Sequence, residues 1–190
     1  DGILMLRPLP KQINEQDIEK MIDPAKDLDG ISPVNIAKVF SGDTSGFAPC
    51  TAEAVVCMLK MNDIALSGKR VAVVGRSMVV GRPLSMLLLH ENATVTICHS
   101  RTASLPEVCR EADILTACVG KAAMINHTYV KKDAVVIDVG INVDENGKLC
   151  GDVDFAGVEP KVSAITPVPG GVGPMTITEL LQNTVTAAKI

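Results

Sequence analysis

Between residues 66 and 165, short apolar runs rich in β-branched residues alternate with segments of helical periodicity. The runs are apolar throughout, which is typical of parallel strands buried on both faces. Strands that alternate with helices favour a parallel sheet covered by helices on both sides. We therefore predict an α/β domain here. The predicted strands are 70–75, 94–99, 113–120 and 134–142, and the predicted helices between them are 82–92 and 105–112.

Local patterns also assign the segments before this block. Residues 2–6 (GILML) form an apolar run that we interpret as a buried strand. Residues 23–35 are rich in turn residues and indicate a loop. Apolar residues at helical spacing predict two helices, at 14–22 and 50–61, and Thr51 is the expected N-cap of the second.

The chain ends in a stiff loop followed by a helical pattern. The loop, TPVPGGVGPMT at 166–176, contains three prolines and three glycines. Thr176 and Glu179 have the spacing of a capping box, so the last helix is expected to begin there. Its predicted apolar face comprises Ile177, Leu180, Leu181, Val185 and Ala188.

Composition argues against several classes of protein. The net charge is −4 and only 2% of residues are aromatic, which disfavours a nucleic-acid surface. No apolar stretch approaches the roughly 20 residues of a membrane span. The six cysteines form no C-x-x-C pair, so no metal site is expected. Their placement favours structural thiols in a reducing cytoplasm.

The first candidate site is VAVVGRSMVVGRP at 71–83, where a predicted strand passes through a loop into a helix. Main-chain N–H groups at such a helix N-terminus favour a phosphate, and Arg76 and Arg82 would suit an anion. The glycine spacing, with Gly75, Ser77 and Gly81, differs from the G-x-G-x-x-G dinucleotide fingerprint. A plain turn with glycines for close packing is the alternative.

The end of the second strand indicates which dinucleotide would bind. Sites that prefer NAD usually carry an acidic residue here for the ribose 2′-hydroxyl. This chain instead has His99, Ser100 and Arg101, which with Arg76 could hold a 2′-phosphate. The pattern predicts NADP, and ordinary hydrogen bonding at a strand end is the alternative.

Two further motifs are weaker. In DVGIN at 138–142, Gly140 allows close backbone approach at the end of a strand, so Ile141 could touch a nicotinamide ring. A buried glycine at a strand end is the commoner explanation. In DLDG at 27–30, Asp29 is most simply a turn residue unless it faces the bound cofactor.

Taken together, the motifs resemble one enzyme family along nearly the whole chain. The sequence is similar to the bifunctional methylenetetrahydrofolate dehydrogenase/cyclohydrolases. This resemblance implies a Rossmann-like NAD(P)-binding domain with a parallel sheet, beside part of a second α/β domain that binds folate. The motifs that carry the resemblance are GILMLRPLP, KDLDG, PCTAEA, VVGRSMVVGRP, TVTICHSRT, VIDVGIN, GDVDF and TPVPGGVGPMT.

The resemblance implies an activity and a set of site residues. The expected reactions are NADP-dependent oxidation of 5,10-methylenetetrahydrofolate and hydrolysis of the methenyl product to 10-formyltetrahydrofolate. A homodimer that binds tetrahydrofolate derivatives is expected. Asp29 would contact the pterin ring as a catalytic-site residue. The implied cofactor contacts are Gly75, Arg76, Ser77, Ser100 and Ile141, and the implied substrate contacts are Met5, Leu6, Arg7, Asp29, Pro169, Gly170, Gly171, Val172 and Gly173.

Two positions depart from the family pattern. The family's Y-x-x-x-K motif, which carries its main catalytic lysine, has no match here, because Tyr129 is followed by VKK inside the α/β block. We therefore expect that an N-terminal portion precedes Asp1 and that this chain alone lacks full activity. Leu6 occupies the place of a glutamine that assists the cyclohydrolase step in the family, and Leu cannot form a side-chain hydrogen bond. Arg7 could compensate by reaching a folate carboxylate.

The expected domain limits are 1–50 for part of the folate domain, 51–165 for the Rossmann-like domain, and 166–190 for a loop and helix that return to the folate domain. Two other functions stay open from the residues alone. One is a dinucleotide-binding module without activity. The other is a different NAD(P) dehydrogenase, such as a 2-hydroxy-acid enzyme, which would need a His/Arg pair in its cleft.

Overall fold

A computed structural model describes residues 1–190. The strands are β1 (Arg70–Val74), β2 (Thr94–Cys98), β3 (Ile114–Ala117), β4 (Val135–Asp138), the hairpin β5 (Asn142–Val143) and β6 (Leu149–Cys150), and β7 (Ala164–Ile165). Five of them form a parallel sheet with strand order β2-β1-β3-β4-β7. The predicted α/β fold is confirmed, although sequence patterns predicted neither β7 nor the small antiparallel hairpin.

Alternate side chains of β1 point into separate cores on the two faces of the sheet. Val71 and Val73 belong to one buried cluster, and Ala72 and Val74 belong to the other. Burial on both faces explains why this strand is apolar at every position. The helices are α1 (Glu15–Met21), α2 (Pro33–Ser41), α3 (Cys50–Met61), α4 (Gly81–His90), α5 (Leu105–Arg110), α6 (Phe155–Val158) and α7 (Val172–Lys189).

Helix α2 lies partly in the segment that the turn residues had indicated as a loop. Its start follows from Ser32, whose Oγ accepts from the N–H of Asn35 at 3.3 Å, and from Pro33 in the first turn. Its end follows from Gly42, which is left-handed with φ 77°. These capping signals are present in the sequence, but the neighbouring turn residues obscured them.

Residues 2–6 do not form the predicted buried strand. Ile3 makes a single parallel bridge to Asp27, and the side chains of Ile3 and Leu6 are 44% and 76% exposed. One bridge satisfies the N–H and C=O of Ile3 only, through Lys26 and Leu28. A continuous ladder is therefore absent, and apolar sequence alone did not produce a strand here.

The predicted bounds of α3, 50–61, are confirmed, but its predicted N-cap and the predicted start of α7 were wrong. Helix α3 begins at Cys50, so Thr51 lies inside it. Helix α7 begins at Val172, and the Oγ of Thr176 donates to the carbonyl of Val172 at 3.2 Å instead of capping the helix. Thr176 and Glu179 therefore form no capping box, because each lies within a helix that started one turn earlier.

The face of α7 that packs inward also differs from the predicted one. Its buried residues are Val172, Glu179 and Ala187, whereas Ile177 and Leu181 are exposed. The helix packs mainly on α3. No helix in the structure combines the length and apolar character that a membrane span requires.

Candidate functional site

Four parallel strands end at one level and create the edge on which the candidate site is built. The register aligns Cys98 of β2 with Val74 of β1, Val74 with Ala117 of β3, and Ala117 with Asp138 of β4. The four segments that follow these residues therefore lie side by side. Ligands of open parallel sheets bind outside the carboxyl ends of the strands.

The loop between β1 and α4 offers unpaired main-chain donors. The N–H groups of residues 76–79 donate to no acceptor within the chain, and these residues are exposed. They precede the N-terminus of the ten-residue helix α4, which has no side-chain cap. Free N–H groups at a helix N-terminus fit the phosphates of a dinucleotide.

The two glycines of this loop serve packing. Gly75 has φ 136°, and a Cβ there would lie 2.7 Å from the Sγ of Cys118. A Cβ at Gly81 would lie 2.6 Å from the carbonyl carbon of Gly75. The two glycines thus allow the loop to contact Cys118, just after β3, and its own two ends to meet, while the free N–H groups between the glycines remain available to a ligand.

The segment after β2 presents polar groups beside this loop. The Nδ1 of His99 accepts from the N–H of Arg101 at 3.1 Å, so His99 stabilises the turn. Ser100, Arg101 and Arg76 are exposed. Their hydroxyl and guanidinium groups fit the 2′-phosphate of NADP.

Arg76 also borders a largely apolar cavity of about 450 Å³ between α2 and α4. Met78, Met86 and Ile97 contribute to its wall. The ring of His90 contacts the carbonyl of Val39 and that of His99 contacts its own turn, so neither forms the His/Arg pair that a 2-hydroxy-acid dehydrogenase would need.

A second cavity, of about 650 Å³, lies at the end of β4 and joins two of the predicted motifs. Ile141, which is 72% exposed, lines it on one side. Residues 167–174 line the other side, and Thr51 contributes from the first turn of α3. The structure thus brings together the DVGIN segment and the proline–glycine loop. The predicted contacts Pro169, Gly170, Gly171, Val172 and Gly173 all border this cavity.

The glycines of this loop have different roles. Gly171 is buried, and a Cβ there would lie 2.9 Å from the Cβ of Thr166, so a side chain would collide with the loop itself. A Cβ at Gly173 would meet nothing within 4 Å, and Gly170 is equally open but left-handed, with φ 101°. Gly173 is therefore the position where an added side chain would occupy cavity space without distorting the protein.

Two buried aspartates shape the β4 side of the cavity. Asp138 accepts from the N–H groups of Gly140, Asp152 and Val153, each at 2.9 Å. Burial raises the pKa of the Asp138 carboxyl, and the three N–H donors oppose that rise. A Cβ at Gly140 would lie 2.5 Å from the main-chain nitrogen of Asp152. Gly140 therefore allows its main chain to lie close to Asp152, which explains this glycine without a ligand.

Sequence analysis did not identify Asp152 as a site residue. Its side chain is fully buried and accepts from the N–H groups of Val119, Gly120 and Lys121 at 2.5, 3.0 and 2.8 Å. The Nδ2 of Asn142 donates to it at 3.0 Å. The GDVDF motif contained this residue, but no local pattern relates it to a loop about 30 residues earlier.

The remaining predicted residues, Met5, Leu6, Arg7 and Asp29, do not line the cavity. The Oδ1 of Asp29 accepts from the N–H of Cys50 at 3.0 Å, at the start of α3, and Thr51 is the next residue. Arg7 lies 3.8 Å from Asp29 and 3.6 Å from Glu19. Met5 is half-buried and Leu6 is exposed. The guanidinium of Arg7 is thus already paired with two carboxylates.

Comparison with known proteins identifies the family. The family described as tetrahydrofolate dehydrogenase/cyclohydrolase, NAD(P)-binding domain, matches residues 49–190. The bifunctional protein FolD of Clostridium botulinum (strain Langeland) is 55% identical over 188 residues, which are 99% of this chain and 67% of that protein. This chain belongs to the tetrahydrofolate dehydrogenase/cyclohydrolase family.

Solved structures of the family superpose closely on this member. The bifunctional FolD enzyme of Campylobacter jejuni has a TM-score of 0.97 at 46% identity, covering 99% of this chain and 67% of that one. The Trypanosoma brucei dehydrogenase-cyclohydrolase, whose structure is a complex with NADP and an inhibitor, has a TM-score of 0.92 at 38% identity and covers 99% and 66%. This family member thus spans about two thirds of these relatives.

Proposed function

We propose that the full-length protein oxidises 5,10-methylenetetrahydrofolate with NADP and hydrolyses the methenyl product to 10-formyltetrahydrofolate. One observation carries this proposal: a single cavity joins the end of β4, with Ile141, to the loop at 167–174. A cofactor laid along the sheet edge and a folate laid against the proline–glycine loop would meet there. The FolD relatives are named as bifunctional enzymes, and the Trypanosoma brucei structure holds NADP.

The residues on the cofactor side suit NADP. Residues 76–79 would donate main-chain N–H groups to the diphosphate, and Arg76, Ser100 and Arg101 would surround the 2′-phosphate. When bound, the nicotinamide supplies the hydride acceptor. The protein's part is to hold the reacting carbons about 3–3.5 Å apart and to exclude water.

The residues on the folate side suit a flat, polar ligand. The first turn of α7 lines the cavity, and this helix begins without a side-chain cap. Asp29 does not line the cavity, but it accepts from the N–H of Cys50, which precedes the lining residue Thr51. We propose that Asp29 accepts hydrogen bonds from the pterin ring. We propose that Pro169–Gly173 form one wall of the folate pocket.

The cyclohydrolase step places different demands on the site. Hydrolysis of a methenyl group needs a positioned water and a group that manages its proton. Leu6 supplies no such group, and Arg7 is paired with Asp29 and Glu19. We therefore propose that residues outside this chain, including the family lysine, manage that proton.

The last helix packs mainly on α3, which the proposed limits place in the Rossmann-like domain, and we propose that its C-terminal end also returns to the folate domain. Ala187 packs with Leu28 and Phe47, and its carbonyl accepts from the Nζ of Lys26 at 2.7 Å. These contacts fit a helix that returns from the Rossmann-like domain to residues 1–50. We further propose a homodimer, as the resemblance implies, and a cytoplasmic location, in keeping with six free cysteines. Light scattering of the purified protein tests the dimer.

The proposed activities are tested by assaying the full-length protein. We expect NADPH to form when methylenetetrahydrofolate and NADP are supplied, and the methenyl compound to be consumed in a separate assay without cofactor. Binding of NADP without either reaction would favour a non-catalytic binding module. NADP reduction with a 2-hydroxy acid, but not with the folate, would favour a different dehydrogenase.

A further inference from the structure

We propose that Asp152 is the positioning residue of the nicotinamide half of the site, a role that rests on the proposed function. Its buried carboxylate joins the segment after β3 to the segment after β4, and a nicotinamide would lie against both. It accepts the three consecutive N–H groups of residues 119–121 and the side-chain amide of Asn142. Asn142 follows Ile141 directly, so one carboxylate sets the position of both segments.

The strand order places these segments where a dinucleotide must cross. Ser100 follows β2 and Ile141 follows β4, and β1 and β3 lie between them. Three strand spacings separate β2 from β4, which is roughly 14 Å. A cofactor that reaches from Ser100 to Ile141 therefore passes over the segment after β3, whose height is set by Asp152.

The two loops that the cofactor would cross differ in their free donors. The N–H groups of residues 76–79 have no acceptor in the chain, whereas those of residues 119–121 all donate to Asp152. The first loop can therefore bind phosphate oxygens, and the second cannot. This difference assigns the phosphate half of the ligand to β1 and leaves the segment after β3 as a fixed wall.

The main chain of Asp152 is itself held in place by Asp138. Its N–H donates to the Oδ1 of Asp138 at 2.9 Å, and Asp138 ends β4. The two carboxylate oxygens of Asp152 accept all four donors, since each can accept more than one hydrogen bond. An amide at this position would turn an N–H₂ group toward N–H donors and would displace at least one of the two segments.

The test compares Asp152→Asn with Asp154→Asn in the full-length protein. Asp154→Asn removes the same charge two residues away. The Asp154 side chain lies outside the site, where it accepts from the N–H of Gly157. Misplacement of the reacting atoms costs about 100-fold in rate, and we expect Asp152→Asn to lower the dehydrogenase kcat by that order. Cyclohydrolase activity, which uses no nicotinamide, should change less than about twofold. Asp154→Asn should leave both activities unchanged.

Cofactor fragments provide a readout that does not depend on the reaction. Asp152→Asn should weaken NADP binding about tenfold. It should leave binding of adenosine 2′,5′-bisphosphate, which lacks the nicotinamide half, unchanged. Asn142→Ala is the substitute variant if Asp152→Asn fails to fold. It removes only one of the four donors and should lower the dehydrogenase kcat about fivefold.

Three results would overturn the role of Asp152. These are a parallel loss of both activities, an equal loss of NADP and bisphosphate binding, and wild-type behaviour of both Asp152→Asn and Asn142→Ala. Failure of the wild-type protein to oxidise methylenetetrahydrofolate would instead refute the proposed function, and the comparison of NADP with the bisphosphate would still decide the role of Asp152.

Discussion

The N–H of Asp152 donates to the carboxylate of Asp138 at 2.9 Å, which fastens the end of β4 to the segment after β6. Each aspartate also contacts a glycine that is close in sequence to the other aspartate: Asp152 contacts Gly140, and Asp138 contacts Gly151. A Cβ at Gly140 would lie 2.5 Å from the nitrogen of Asp152, and one at Gly151 would lie 2.8 Å from the Oδ1 of Asp138. Both positions therefore need glycine, because a side chain would collide with Asp152 or with Asp138. No ligand is needed to explain either glycine.

Arg76→Ala should change the cofactor preference. Loss of a charge-assisted hydrogen bond of roughly 1.5–3 kcal/mol corresponds to about a 10- to 100-fold rise in the Michaelis constant for NADP. The constant for NAD, which lacks the 2′-phosphate, should stay within about twofold. Steady-state kinetics with both cofactors measures the ratio. Arg110→Ala, an exposed change on α5, is the control. An unchanged NADP constant in Arg76→Ala would remove Arg76 from the 2′-phosphate site.

Gly173→Val should weaken folate binding without unfolding the protein. A side chain at Gly173 meets open space in the cavity, so we expect at least about a tenfold rise in the folate Michaelis constant and little change in Tm. The matched variant Gly171→Val should lower Tm, because its Cβ would collide with Thr166 and the carbonyl of Pro167. Wild-type folate kinetics in Gly173→Val would place the folate elsewhere.

Cys118 should react slowly with alkylating reagents although it is only half-buried. Burial, and secondarily the charge of Asp152, raise its pKa to about 12. The thiolate fraction at pH 8 is then on the order of one in ten thousand, against about one in ten for a thiol at the usual value of 9.0. Mass spectrometry after iodoacetamide treatment should show a rate still rising at pH 11. A plateau near pH 9 would contradict this prediction.

Glu53→Gln should stabilise the protein at neutral pH. Burial, and then the charge of Glu179, raise the pKa of Glu53 above its usual value of 4.5. In such a case the unfolded state ionises first as the pH rises, so stability falls between the unfolded and the folded pKa. The loss of stability caused by Glu53 is absent below pH 4.5 and fully present above the pKa that Glu53 has in the folded protein. Thermal unfolding across this range should show a Glu53→Gln advantage that grows with pH.

The exposed Glu145 provides the control for Glu53, since Glu145→Gln removes one charge on the β5–β6 turn without touching a helix interface. A Glu53→Gln advantage that is equal at every pH would show that packing, not ionisation, is responsible.

Much of the α/β block could be predicted because its signals are local. The predicted strands contain β1 to β4, and the predicted helix at 105–112 contains α5. Apolar runs and helical spacing act within a few residues, so neighbouring sequence is enough to indicate them. The start of α7 was missed because this helix begins without a side-chain cap, so no capping residue marks it in the sequence. The residues of its first turn line a cavity, where the N–H groups need no partner from the chain.

The sequence by itself determined the strand and helix pattern, the parallel sheet and the family resemblance, since each depends on residue types in order along the chain. Only the tertiary structure decided which donors are free and which glycines have open space beside them. Residues 76–79 keep unpaired N–H groups while residues 119–121 lose theirs to Asp152, and Gly173 is open while Gly171 is filled. The reason is physical: a hydrogen-bond acceptor or a colliding atom far along the chain acts only after folding brings it near.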